Sequence, residues 1–378
     1  MVVWLEIGRI FCGKLYGAVG CAKGVIMRVK IFLSVLLINI AVFISLADAG
    51  SLSKVFQKVN PAVVMVLTTE RGHSDLHAGQ EVTFEKGGLG SGIVVSQDGL
   101  VMTAAHVVQV ADAVVVKFLD GSMVGAKVVG SAPQADVALL QLNHLPDNLV
   151  VAELGDSDSV NVGDEIFVIG APYGVDHTLT VGYMSGRRHP EVVCNSLLPI
   201  EFLQTDAAIN KGNSGGPMFT MDGKVIGIVS RILSFSGGSE GLGFAASINT
   251  ATELLFKQGS VWTGLEAYLV TGTLAKALNV PQDAGLLIQR VADDSPGQRL
   301  GLRPGNIPAE IAGKQLLLGG DIVLEVRGVT VSAALEHTCE IRKKVAGLRN
   351  DNLQMKILRE GKVIDLAIIK GGETIESD

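Results

Sequence analysis

From residue 61 to about 142, and again from 165 to 247, the chain is written as short apolar runs separated by tight turns. The first group holds runs at 62–69, 91–95, 113–119 and 137–142, with Asp98-Gly99 and Asp120-Gly121 among the turns. The second holds runs near 166–169, 178–184, 201–205, 224–230 and 242–247. Segments this short, rich in Val and Ile and bounded by Asp-Gly, read as strands. Two consecutive groups of about six predict two β-barrels side by side. Glycine at 46 of 378 residues, with only 5% aromatics, fits the same picture of short strands and tight turns. A short helix is expected to follow, with Thr250-Ala251-Thr252-Glu253 as its capping box and Gly259 as its stop.

Beyond Gly259 the texture changes. Strands at 285–291, 321–327 and 353–358 alternate with helical pieces at 274–278 and 333–345, and Arg359-Glu360-Gly361-Lys362 reads as a hairpin turn. This predicts a separate α+β unit of roughly 110 residues, a normal size for a small domain. Apolar residues at 48% can fill such cores, and charged residues at 18% argue against a disordered or coiled-coil chain. The net charge of 31 − 38 = −7 comes with no basic block beyond Arg342-Lys343-Lys344, which argues against a nucleic-acid partner. Cys12, Cys21, Cys194 and Cys339 form neither a disulfide framework nor a C-x-x-C pair, so the fold must rest on packing.

The N-terminus reads as a targeting segment. Residues 31–47 are one apolar run broken only by Ser34, Asn39 and Ser45, with Arg28 and Lys30 before it and Ala47-Asp48-Ala49 at its end. A basic start, an apolar middle and a small-x-small end predict a secretory signal peptide at 27–49, cut after Ala49. The run is seventeen residues (47 − 31 + 1), the short limit of a membrane span, so an uncleaved anchor is the alternative. Met27 reads as the better start, and residues 1–26 are expected to be an over-extension.

The chemistry centres on Gly212-Asn213-Ser214-Gly215-Gly216-Pro217. A serine between glycines sits on a tight turn with its hydroxyl unobstructed, and the N–H groups of Gly212 and Ser214 can converge on a developing oxyanion. An isolated G-x-S-G is more often an ordinary turn, so the nucleophile needs a base. Of seven histidines, only His106 follows a strand that ends in small residues, Leu100-Val101-Met102-Thr103-Ala104-Ala105. His73 and His77 are spaced for metal binding on a helix but lie in a Gly-bearing loop, where solvent exposure is the plainer reading. His144, His177, His189 and His337 are isolated. Asp136, a lone carboxylate heading the apolar run Val137-Ala138-Leu139-Leu140, is the best candidate to hold the imidazole tautomer. Asp112 and Asp120 are rivals placed in polar turns, and Asp206 reads as structural. No HExxH and no P-loop occurs, so no metal and no cofactor is expected.

In the order His106, Asp136, Ser214 these residues resemble the triad of the chymotrypsin-like serine proteases. The closer resemblance is to the HtrA (Deg/Do) family of secreted quality-control proteases. It is carried by Gly90-Ser91-Gly92-Ile93-Val94, Thr103-Ala104-Ala105-His106-Val107-Val108, Ala135-Asp136-Val137-Ala138-Leu139-Leu140, Gln204-Thr205-Asp206-Ala207-Ala208-Ile209-Asn210, the serine turn and Gly241-Leu242-Gly243-Phe244-Ala245. These span almost the whole of residues 60–257.

The resemblance implies a mainly β protein, with a chymotrypsin-like double β-barrel at 50–258 and a small α+β PDZ-like domain at 259–372. It implies His106, Asp136 and Ser214 as catalytic, and Gly212, Asn213 and Ser214 as the oxyanion-hole segment, with Gly212 and Ser214 the donors. The pocket for the residue before the scissile bond falls on Ala208 and Ile209, which favours small aliphatic side chains. The activation-sensor loop falls on Ser185-Gly186-Arg187-Arg188-His189, and the sensing arginine is Arg187 or Arg188. The PDZ carboxylate-binding loop falls on Thr263, Gly264 and Leu265, where a peptide C-terminus would be received as an added strand. Two departures stand out. The stretch 303–318 is longer than the family's usual link, and the loop at 71–86 is short. The implied partners are unfolded proteins, peptide C-termini and further copies in a homotrimer or larger assembly, in the bacterial periplasm. The reading from another class is a PDZ-bearing binding protein or holdase with little proteolysis.

Overall fold

The computed structural model describes residues 52–74, 82–189, 200–334, 354–368 and 374–377, with positions 337, 340, 341 and 344. The signal peptide at 27–49, the start at Met27, His77, Cys194, Cys339 and part of the helix at 333–345 lie outside the described residues.

The first six strands are β1 (Val63–Ser74), β2 (Val82–Val94), β3 (Leu100–Thr103), β4 (Ala113–Lys117), β5 (Met123–Ala132) and β6 (Val137–Leu142). They close into a barrel in the order β1-β2-β3-β6-β5-β4. In β4, Val114 and Val116 are buried while their neighbours are less so, the period of two that a barrel wall demands. Val66, Val94, Val101, Val116 and Leu140 fill the interior and are wholly buried. Closure leaves no sheet edge for stray pairing.

The next six are β7 (Glu165–Gly170), β8 (Thr178–Arg188), β9 (Phe202–Thr205), β10 (Pro217–Thr220), β11 (Val225–Ile232) and β12 (Gly243–Ser247). Their order, β10-β11-β12-β9-β8-β7, repeats the connectivity of the first barrel. Ile166, Val168, Met184, Leu203 and Met218 are buried within it. Phe167 and Phe219 are opposite each other across β7 and β10 and stack at 4.9 Å. Such a pair contributes about 0.5–1.5 kcal/mol beyond its burial.

Two expectations change here. The stretch 71–86 is not simply a loop, because β1 continues to Ser74 and β2 starts at Val82, with Arg71 opposite Glu85, His73 opposite Thr83 and Ser74 opposite Val82. His73 therefore lies on a strand. The charged side chains at the start of this extension reach the C-terminal unit instead, Glu70 pairing with Arg290 and Arg71 with Asp293. The helix after β12, Ile248–Thr252, is capped by Ser247, whose hydroxyl accepts the Thr250 N–H, and not by Thr250. Ser247 ends β12 in extended geometry, so the helix begins directly off the strand, and a wider turn at Glu253–Lys257 completes it.

The C-terminal unit is a sheet ordered β13 (Leu265–Thr271), β14 (Ala284–Val291), β17 (Ile322–Val326), β19 (Gln354–Arg359), β20 (Lys362–Ile368) and β21 (Thr374–Ser377), with β18 (Val329–Thr330) on β17. The long stretch at 303–318 folds as a separate hairpin of β15 (Ile307–Ile311) and β16 (Lys314–Leu318). The Gln289 side chain donates to the Leu317 carbonyl and accepts its N–H, and Lys314 lies over the Tyr268 ring of β13. Asp321 is nearly inaccessible and accepts from Arg359 Nε, from a second Arg359 nitrogen and from the Arg303 N–H. A buried carboxylate satisfied this fully is tolerated where a lone one would not be. Among the described residues no helix is long and apolar enough to cross a membrane.

Candidate active site

His106 rides on the short helix Ala105–Val108 directly after β3, with Ala104 and Ala105 buried beneath it. Asp136 stands just ahead of β6, in the left-handed backbone region at φ 54°. For a non-glycine residue this is uncommon and points to a position determined by its contacts. Those contacts are specific. Asp136 Oδ1 accepts the His106 backbone N–H at 3.0 Å, and both carboxylate oxygens lie 2.8–2.9 Å from His106 Nδ1. The Ser230 hydroxyl donates to Oδ2. Burial pushes the Asp136 pKa up, but the hydrogen bonds and charge of His106 and the bond from Ser230 outweigh it. The carboxyl is held below its ordinary value. It therefore accepts from Nδ1, which leaves Nε2 as the basic nitrogen.

Ser214 comes from the other barrel. Its turn is locked to the first barrel by Ser91 on β2. The Ser91 N–H donates to the Ser214 carbonyl at 2.8 Å, its hydroxyl donates to the Gly212 carbonyl at 2.7 Å, and the same oxygen accepts the Ala171 N–H at 2.9 Å. Gly215 makes the approach possible, since a Cβ there would fall 2.2 Å from the Ser91 carbonyl. Ser214 Oγ donates to the Ser230 carbonyl at 3.2 Å, and among the described residues it makes no hydrogen bond to His106.

Residues 210–213 form a turn closed by the Asn213 N–H on the Asn210 carbonyl at 3.0 Å. Gly212 holds the third position at φ 105°, the conformation a type II turn reserves for glycine. The Lys211 carbonyl accepts the Tyr173 N–H at 2.8 Å, and in a trans peptide this turns the Gly212 N–H to the opposite side. Among the described residues the N–H groups of Gly212 and Ser214 have no partner. Asn213, expected within the oxyanion segment, uses its own N–H to close the turn, and its side chain is buried. Its Oδ1 lacks a hydrogen-bond partner among the described residues.

Replacing Gly212 by Ala tests this turn. The new Cβ would meet the Ala171 carbonyl at 2.2 Å and cannot hold the positive φ, so the turn flips and one donor is withdrawn. The expected result is a fall in kcat of about 10²–10³, the usual cost of losing one oxyanion donor, with a smaller change in KM. Steady-state kinetics on a peptide substrate would check it.

The remaining candidates are dispersed. Ile209 is buried in the second barrel against Gly243, and Ala208 beside it is exposed. Asp206 accepts the Tyr183 N–H, in keeping with a structural role. Asp120 bonds Ser122, and Asp112 accepts the N–H groups of Arg71 and Asp293, so neither reaches His106. Arg187 is fully engaged with Glu201 and the carbonyls of Ser157 and Val160. Arg188 is exposed, and the one side-chain hydrogen bond it makes among the described residues goes to the Arg187 carbonyl. The carbonyls of Thr263, Gly264 and Leu265 accept from the Gly297 and Ala292 N–H groups and the Gln109 side chain. His177 bonds Asn60, and His337 bonds the Thr330 carbonyl.

Two residues that sequence reasoning did not single out are central here, Ser91 and Ser230. Ser91 stands in Gly90-Ser91-Gly92, a segment that carries the resemblance, and a serine between glycines is the local signal of its role. Ser230 carries no such signal.

Comparison with known proteins follows the same lines. Residues 90–228 match the model of a trypsin-like peptidase domain. A probable periplasmic serine endoprotease, DegP-like, of Halomonas elongata is 37% identical over 311 residues, covering 80% of this chain and 58% of that protein. A relative of the same description from Pseudomonas putida is 40% identical over 242 residues, covering 62% of this chain and 49% of the relative. The chain thus spans about half the length of these curated relatives. The HtrA-type protease AlgW, solved with a decapeptide, is 31% identical over 87% of this chain and 99% of its own, with a TM-score of 0.48. A variant of AlgW with a decapeptide gives 29% identity, 87% and 98% coverage and a TM-score of 0.50.

Proposed function

Because the chain belongs to the HtrA-type family of trypsin-like serine proteases, we propose that it is a periplasmic endoprotease that hydrolyses unfolded proteins without ATP. The observation that carries the reading is the His106–Asp136 pair, with Ser214 supplied by a turn whose two N–H groups are free among the described residues. In this mechanism Ser214 Oγ attacks the peptide carbonyl while His106 Nε2 takes its proton. The N–H groups of Gly212 and Ser214 receive the negative oxygen. His106 then returns the proton to the leaving amine, and water, activated by the same imidazole, releases the acyl group from Ser214. Asp136 stabilises the imidazolium formed at each stage.

Supporting the proposed specificity are the small exposed side chain of Ala208 and the apolar floor of Ile209, which offer no acid to a Lys or Arg. Small aliphatic residues are buried in native proteins, so cleavage after them selects unfolded chains. Arg188 is the better of the two sensor candidates, because Arg187 is committed to Glu201 and two carbonyls. A peptide C-terminus would add along β13, the end strand of its sheet, beside the loop at 263–265. We further propose assembly into a homotrimer or larger oligomer, and removal of a signal peptide after Ala49.

One observation favours the holdase reading. The Ser214 hydroxyl rests on the Ser230 carbonyl, the arrangement a non-cleaving relative would keep permanently. Rotation about a single side-chain bond redirects it toward the histidine, and catalytic hydrogen bonds often tighten only when substrate is bound. The deciding experiment incubates the full chain with an unfolded protein and reads the product termini by mass spectrometry. New C-termini at Val, Ala and Ile are expected. Intact substrate held in a soluble complex would establish the holdase, and cuts after Arg or Lys would overturn the assigned pocket.

A further inference from the structure

Phe235 is 99% exposed, the most exposed large apolar side chain among the described residues. It stands on the loop joining β11 to β12, two residues beyond Leu233, itself 58% exposed. An aromatic ring on a slack loop tends to fold back against apolar surface, and here the loop is tied instead. The Glu240 carboxylate accepts the N–H groups of Phe235 and Ser236 and the Ser234 hydroxyl, at 2.8–3.2 Å. Those bonds, the Ser236 contacts foremost, bring its pKa down to about 2, so the tie is charged throughout the neutral range. Asn210 Oδ1 accepts the Ser239 N–H at 3.1 Å, fixing the loop to the segment that leads into the nucleophile turn.

The stem of this loop points at the reacting centre. β10 pairs with β11 only as far as Ile228, and Val229 bonds Gly215 and Gly216. From Arg231 to Leu233 the strand pairs with β12 and Leu242 on one side, and its other edge has no backbone partner among the described residues. That edge starts at Ser230, whose carbonyl holds the Ser214 hydroxyl. A polypeptide laid antiparallel on the edge runs toward Ser230 as it approaches the scissile bond, so the residues beside Leu233 and Phe235 precede that bond.

We propose that Phe235, with Leu233, forms a subsite that takes an apolar side chain about three to five residues N-terminal to the scissile bond, at 3.3 Å of strand per residue. The proposal rests on the proteolytic reading and adds to it a second apolar requirement, read at a distance from the first. Two apolar residues at fixed spacing occur in denatured core segments and seldom on native surfaces. A subsite of this kind would let the enzyme pass over exposed loops that carry a lone valine.

The test uses the full chain and two decapeptides that are identical from the cleaved valine onward. They differ at the third to fifth residues before the cut, which are Leu and Phe in one and Ser in the other. The apolar peptide is expected to show kcat/KM higher on the order of tenfold, mostly through KM, as one well-filled apolar site can supply. In Phe235→Ala the ratio falls to near one, and in Phe235→Trp it is retained. Because the ring is exposed, the unfolding temperature of both variants should match the parent protein. A ratio unchanged in Phe235→Ala overturns the subsite, and a lower oligomeric mass with that unchanged ratio would instead make Phe235 a contact between copies. If the parent protein hydrolyses a short valine ester but cuts both peptides equally, only the subsite fails. If it hydrolyses neither ester nor peptides, the proteolytic reading fails and the subsite falls with it.

Discussion

Ser214→Ala is expected to abolish cleavage of an unfolded protein, with a fall in kcat of about 10⁶, because a triad acts as a unit. The fold should scarcely register the change. The lost atom makes one hydrogen bond, to the Ser230 carbonyl, and a neutral bond of that kind contributes about 0.5–1.5 kcal/mol. The turn itself is held through backbone and Ser91, including the Ser91 N–H on the Ser214 carbonyl, and these are untouched by the substitution. The variant should therefore melt within a few degrees of the parent and still capture unfolded chains. Side-by-side digestion of casein, with binding followed by size-exclusion chromatography, makes the comparison. Equal cleavage by the two proteins would remove Ser214 as the nucleophile. Equal binding with no cleavage by either would leave the holdase.

Much of this arrangement is legible locally, and the limits of that legibility are physical. The barrels are readable because a buried wall of short strands needs alternating Val and Ile with frequent tight turns, and both leave marks within a few residues. His106, Asp136 and Ser214 are readable for a related reason, since each is a polar residue at the end of an apolar or small-residue run. Ser230 is not. It follows Ile228 and Val229 within β11, and a lone serine in an apolar strand is commonplace. Its importance lies in a hydrogen bond to Asp136 across 94 positions of sequence. The Asp136 backbone at φ 54° is similarly hidden, because nothing in its composition marks a left-handed residue. The extension of β1 to Ser74 and of β2 back to Val82 escapes notice because Gly72, Gly87 and Gly88 resemble loop punctuation, although the pairing partners lie opposite each other once the ladder is in register. The choice between Arg187 and Arg188 could not be made from adjacent identical residues. It depends on Glu201 and two carbonyls that meet only one of them.

Asp136→Asn is expected to lower kcat by about 10⁴ while leaving the chain folded, because the substitution inverts the histidine tautomer. The geometry dictates how. Oδ1 must remain an acceptor for the His106 backbone N–H, so the amide oxygen takes that place and the amide nitrogen takes the place of Oδ2. That nitrogen then faces Nδ1 at 2.8 Å as a donor, while the Ser230 hydroxyl can turn to accept from it. Nδ1 must accept, the proton moves to Nε2, and Nε2 can no longer take the proton of Ser214. The same residue sets a stability signature with a definite sign. In the folded protein the Asp136 pKa lies below its unfolded value of about 3.9, so its ionised form favours folding. That contribution is complete above the unfolded value and is lost as pH falls through the folded one. In denaturant melts of the parent and of Asp136→Asn, the parent should thus lose stability relative to the variant as pH falls below about 4. A parent that instead gained stability over the variant with acid would mean that the carboxylate is destabilised by its burial, and the tautomer argument would lose its anchor. A variant that kept both its activity and a flat profile would move the orienting role to a residue other than Asp136.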